Sequence, residues 1–213
     1  MRIKLHAFKW FSISSIFILL LTYLLNTYFI KNIHTTFIGS LLVGFLASLL
    51  VLSGATLIEY YLIKERTIQT FFQACYWYLS LVSEAKFLTS SRVDIETCYE
   101  KWINVNTFYE NDFKTSYFNI TKYRRGKVKY KELEAVYDEL SSFHDNHVQK
   151  IFVTLIMYLS NDDVKISDSE VIQGISSDFL PPLYDEIRRI GWSIIHLGID
   201  KHVIPADMYF KSI

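Results

Sequence analysis

Two side chains suited to acid–base or phosphate chemistry stand seven residues apart near the end of the chain, Arg189 and His196. At about 3.6 residues per turn that spacing returns to the same helical face, so guanidinium and imidazole project side by side from a helix. A salt bridge or a helix-capping role uses the same geometry. A second group, His144-Asp145-Asn146-His147, sets two imidazoles three residues apart, a spacing at which both can converge on a metal ion. It lacks a third ligand at a telling distance and has no His-Glu-x-x-His pattern. The expectation is therefore surface polar residues at a helical irregularity, with no metal. A third cluster, Lys122, Arg124, Arg125, Lys127, Lys129 and Lys131 around Gly126, concentrates positive charge. It suits contact with lipid headgroups, with nucleic acid, or with water alone. Phosphate-binding glycine loops, dinucleotide fingerprints and nucleophile elbows do not occur, so nucleotide hydrolysis, dinucleotide binding and hydrolase chemistry have no support.

The Arg189…His196 pair resembles the R-x4-6-H motif of dimeric HEPN ribonucleases. That resemblance implies that the two residues polarise a scissile phosphate and activate a ribose 2′-hydroxyl. It covers this one helix, and the polar residue usual after the arginine is replaced by Ile190.

The elements that carry these residues are set by a division in the chain. Of its 213 residues, 51% are hydrophobic, yet between Trp10 and Ile58 the only formal charge is Lys31. Trp10–Ile30 holds twelve Leu, Ile or Phe residues. At about 1.5 Å rise per residue it covers roughly 30 Å, the thickness of a bilayer's hydrocarbon core. Phe37–Ile58 has nothing more polar than Ser or Thr. The short linker Lys31-Asn32-Ile33-His34 permits only a helical hairpin. A cleaved signal peptide would have a shorter apolar core and a small-residue cleavage site, neither of which is present. Residues 1–62 are thus expected to form a transmembrane hairpin, with spans at about 10–30 and 37–58.

Charge orients it. Arg2, Lys4 and Lys9 precede the first span and Lys64 and Arg66 follow the second, against Lys31 in the turn. By the positive-inside rule both termini lie in the cytoplasm and the protein is multi-pass in the cell inner membrane. Trp10, Tyr28, Tyr60 and Tyr61 stand where aromatic belts form. Beyond Glu59 the chain carries 18 basic and 21 acidic residues, net about −3, which argues against a wholly nucleic-acid-binding domain. Cys75 and Cys98 are read as reduced thiols.

On the second span Ser40, Gly44, Ala47, Ser48, Gly54 and Ala55 recur at helical spacings. Small side chains on one face let another backbone approach closely, either the first span or another copy of the protein. Neither span carries an ionisable residue, which disfavours a proton relay or coupled transporter.

Residues 63–213 are expected to form a helical cytoplasmic domain, making the whole chain all-α. No Gly or Pro interrupts Ala55 to Arg125, so the second span should continue through Thr67–Leu88. Phe71, Phe72, Tyr76, Trp77, Leu79, Leu81 and Val82 make that extension too apolar to stand uncovered. Thr89-Ser90-Ser91 with Asp94 predicts a break and a new N-cap. Ile95, Tyr99, Trp102, Ile103, Asn106 and Phe113 then mark a helix to about Tyr117. Glu132–Ser160 reads as helix interrupted near Phe143–His147, with Ile151–Leu159 as the centre of a soluble core. Ser167-x-x-Glu170 is a capping box. Pro181-Pro182 is expected to break the chain before a final helix, Leu183–Leu197.

A short chain with a two-helix membrane hairpin and a compact helical domain resembles the two-transmembrane effectors of bacterial anti-phage systems, the SLATT family and the two-transmembrane proteins encoded beside retrons among them. The resemblance is of architecture. It implies a non-enzymatic toxin of abortive infection, without a cofactor, held by a regulatory protein or nucleoprotein until its spans assemble as homo-oligomers in the lipid bilayer and disrupt it. A membrane-anchored HEPN-like ribonuclease and a non-toxic anchor or scaffold are the alternative expectations.

Overall fold

The computed structural model describes residues 2–28, 37–91, 94–121, 131–160 and 167–200. Every regular element among them is helical: α1 (Arg2–Tyr28), α2 (Phe37–Ser90), α3 (Ile95–Phe108), α4 (Lys114–Thr121), α5 (Lys131–Phe143), α6 (Gln149–Leu159), α7 (Asp168–Asp178) and α8 (Leu180–Asp200). Wider π-helical turns join α3 to α4 at Tyr109–Phe113 and α5 to α6 at His144–Val148. The protein is all-α. By its internal contacts the chain divides into Met1–Arg66 and Thr67–Ile213, and α2 contributes to both units.

The first unit contains α1 and the start of α2. Stretches of both helices are long and apolar enough to cross a membrane, with mean hydropathies of 1.8 for His6–Leu25 and 2.4 for the most apolar part of Gly39–Ser90. Only 6% and 11% of those windows are buried by protein, so neither is a soluble core helix. Ser15, Leu49 and Ser53 are the side chains of this unit that protein does cover.

The second unit is a helical bundle with one core. α2 supplies Phe71, Tyr78 and Val82, α3 supplies Cys98, Trp102 and Val105, α5 Leu140, α6 Ile151 and Leu155, and α8 Leu183 and Ile190. Helix α3 packs against α6 and α7, and α8 against α5 and α7. Fully burying one such aliphatic or aromatic side chain contributes about 1.5–3 kcal/mol, so this shared interior holds the unit together. The apolar extension of α2 is covered as expected at Phe71, Phe72, Leu79 and Val82, but Tyr76 and Trp77 remain exposed on its opposite side.

Local signals in the chain match the observed ends. α2 runs unbroken to Ser90. Asp94 then caps α3, its carboxylate accepting from the Thr97 amide at 2.8 Å. The Ser167 and Glu170 capping box opens α7. Two expectations are corrected. Pro181 and Pro182 lie in the first turn of α8, which begins at Leu180, rather than before it. Proline lacks an N–H, but first-turn amides have no intrahelical acceptor, so nothing is lost there. In α6 only Ile151 and Leu155 reach the core while Met157 is exposed, so the apolar run is a stripe rather than a wholly buried centre.

Candidate functional site

In the first unit the contact between α1 and α2 is polar at its middle. The hydroxyls of Ser12 and Ser53 share a hydrogen bond of 2.9 Å, and Ser15 is buried one turn along α1. Ser15 satisfies itself by donating to the Phe11 carbonyl at 2.8 Å. The expected small-residue set lies elsewhere. Ser40, Gly44, Ala47, Ser48 and Ala55 are exposed and Gly54 half-buried. A Cβ built on Gly44 or Gly54 meets nothing within 4 Å. Ser48 donates to the Gly44 carbonyl at 2.9 Å, so that hydroxyl stays within its own helix. α1 thus docks through Ser12, Ser15 and Ser53, leaving most of the small-residue face uncovered. Composition pointed to that face because six small residues repeat along it; Ser53, one small residue among several, carried no separate signal.

In the second unit Arg189 and His196 both lie on α8 and are both exposed. The Arg189 guanidinium is bound to Glu139 of α5 and, at 2.7 Å, to Glu186 one turn before it. Those carboxylates raise its pKa further. His196 stands 6.2 Å ring to ring from Trp192. Ile190, where a polar residue was looked for, is fully buried in the core. Arg189 therefore joins α5 to α8. Of the basic cluster, Lys122, Arg124, Arg125, Lys127 and Lys129 lie outside the described residues, as does the Lys31–His34 turn; Lys131 opens α5 and is exposed.

The His144–His147 group holds the main departure from expectation. His144 is not a surface residue; it has no solvent exposure at all. The cause is the π-helical turn His144–Val148, which inserts an extra residue per turn and shifts the helical register. Phe143 and His144 both face inward, and Val148 rather than His147 is the next buried residue. Such a shift leaves no mark in periodicity beyond the irregularity itself.

Around His144 the packing is aromatic. Its ring stacks on Tyr109 with centroids 3.6 Å apart and planes 8° from parallel. Tyr109 belongs to the other π-helical turn and stacks in turn on Phe113 at 5.4 Å. From α2, the Tyr78 hydroxyl meets His144 Nδ1 at 2.9 Å. Burial pushes the Tyr78 phenol well above its ordinary range, so it keeps its proton. The other ring nitrogen, Nε2, is buried without a hydrogen-bond partner among the described residues. Burial lowers the His144 pKa from 6.5 to about 4; Glu110 pulls it back up and Lys114 adds to the fall. At neutral pH His144 is an uncharged imidazole in a dry aromatic stack.

Among the described residues no group of three or more His, Cys, Asp or Glu is placed to hold a metal ion. An open groove of about 390 Å³ is lined by Lys114, Tyr117, Phe118 and Tyr137. Its ammonium is already bound to Glu110 at 2.6 Å, which leaves a mostly apolar hollow. No family model matches this chain, and no curated protein or solved structure does.

Proposed function

We propose that this chain is a non-enzymatic membrane effector. In this reading α1 and the first part of α2 span the inner membrane as a hairpin with both termini in the cytoplasm. The helical bundle is the surface through which a regulatory protein or nucleoprotein holds it in check. On release, copies assemble side by side through Ser40, Gly44, Ala47, Ser48, Gly54 and Ala55, and the membrane is permeabilised. The infected cell is thereby arrested, as in abortive infection.

The observation that supports this reading is the division of labour on α2. The first helix docks through Ser12 and Ser53, while Gly44 has nothing within 4 Å of where a side chain would begin. In lipid, where no hydrophobic force drives helices together, close backbone approach at small residues is the available source of association. A second support is the low protein cover of both hydrophobic helices, which requires an apolar solvent.

The deciding experiment is expression of the full chain with confirmed membrane insertion, alone and with its neighbouring gene products, while membrane potential is followed with a voltage-sensitive dye. Collapse of the potential on triggering is the expected result. An unchanged potential under all conditions removes the effector reading and leaves an anchor or scaffold.

A further inference from the structure

We propose that His144 is a proton-operated latch of the helical bundle, closed while its imidazole is neutral and released when it takes up a proton. The geometry around the ring carries this. Only one arrangement gives the Tyr78 phenol proton an acceptor there: Tyr78 O–H donates to His144 Nδ1, and the ring's own proton sits on Nε2. A second proton has to go to Nδ1. That nitrogen then donates instead of accepting, the Tyr78 hydroxyl has to turn round, and its hydrogen loses its acceptor. The bond that ties α2 to the π-helical turn His144–Val148 is thereby reversed in a fully buried site. At the same time a positive charge appears next to an Nε2 that has no partner.

The charged surroundings do not absorb it. From α2 only the neutral Tyr78 phenol reaches the ring, and from the Tyr109–Phe113 turn the stacked Tyr109 phenol does. Glu110 and Lys114, the nearest ionised pair, act on the ring with opposite sign and are bound to each other at 2.6 Å. On its own turn Asp145 is exposed, and His147 packs on Phe143 with centroids 5.7 Å apart. None of these is hydrogen-bonded to the ring among the described residues, so opening the stack to water is the route by which the imidazolium is solvated.

The direction in pH follows from linkage. The folded site binds its proton less readily than the unfolded chain, so the latch is fully effective above about pH 6.5 and weakens as pH falls toward about 4. With those two limits the ratio of unfolded to folded bundle rises about 30-fold between pH 8 and pH 5.

The test is chemical unfolding of the full chain in detergent micelles at pH 8, 6.5 and 5, followed by near-ultraviolet circular dichroism, beside a His144→Phe variant that keeps a ring in the stack. The wild type is expected to lose stability with acid by roughly 30-fold more than the variant. Parallel behaviour of the two overturns the proposal. Should His144→Phe not fold, the carbon and nitrogen resonances of His144 in labelled wild type decide. A ring that stays neutral at pH 5.5 while the bundle is folded supports the latch, and one that titrates near pH 6.5 in the folded protein overturns it.

Discussion

The hydroxyl oxygens of Ser12 and Ser53 lie 2.9 Å apart, one on each apolar helix, and each helix is otherwise almost bare of protein cover. This polar pair is the specific link in an interface whose other contacts are nonspecific van der Waals packing. Ser53→Ala should lower the stability of the hairpin in a bilayer by about 0.6–2 kcal/mol, the range for interhelical hydrogen bonds in lipid. Ser48→Ala, whose hydroxyl serves its own helix, should leave it unchanged. Steric trapping of the two spans in vesicles measures both.

Gly44→Leu separates the fold of one chain from assembly between chains. Nothing lies within 4 Å of the new Cβ, so insertion and hairpin stability should be those of the wild type. Self-association, read by energy transfer between labelled copies in vesicles, should fall at least about tenfold if this face is the seam. Equal association in the variant would show that copies meet elsewhere or not at all.

The buried indole of Trp102 donates to Thr89 Oγ1 at 3.1 Å, joining α3 to the end of α2. Thr89→Val keeps the shape but removes the acceptor and leaves a buried N–H unpaired. The expected loss is about 1–3 kcal/mol of bundle stability. Trp102→Phe in the Thr89→Val background should not add the full cost of each change, and a double-mutant cycle by urea unfolding tests that coupling.

The π-helical turn His144–Val148 predicts an unusual sensitivity to length. Deleting the exposed Asn146 restores ordinary helical spacing but rotates everything after it by about 100°. Ile151 and Leu155 then leave the core, and losing even one such side chain costs about 2–5 kcal/mol. The deletion should unfold the bundle, whereas Asn146→Ala should be tolerated; circular dichroism distinguishes the two.

Arg189 and His196 part company in the same way. Arg189→Ala breaks the link to Glu139 and should lower the melting temperature of the bundle slightly, since the side chain is exposed. His196→Ala should change neither melting nor toxicity. Loss of toxicity with His196→Ala, together with RNA cleavage that vanishes in that variant, would instead establish the ribonuclease alternative.

Much of the architecture was legible in the order of residues because its causes are local. Charge-free runs before Ile58 mark α1 and the first part of α2, and the absence of Gly and Pro after Ala55 lets α2 run on to Ser90. Asp94 and the Ser167–Glu170 box announce helix starts through hydrogen bonds that reach only three residues. The two prolines were read as a barrier and proved to be the opening of a helix, since a proline signals where a helix cannot continue as readily as where one can begin.

The relationships that matter for function join residues far apart in the chain, and no local pattern contains them. Ser12 finds Ser53 only when the two apolar helices pair, and Arg189 is claimed by Glu139 only when α8 lies on α5. His144 looked like a polar surface residue because ordinary helical spacing gives no reason to turn it inward. One extra residue in a π-helical turn does so, and Tyr78 and Tyr109, from other parts of the chain, then hold it there without charge. The sequence by itself settled the helical elements and their apolar character, which depend on neighbours along the chain. Which of their side chains meet, and in what protonation state, depends on neighbours in space, and tertiary structure alone decides it.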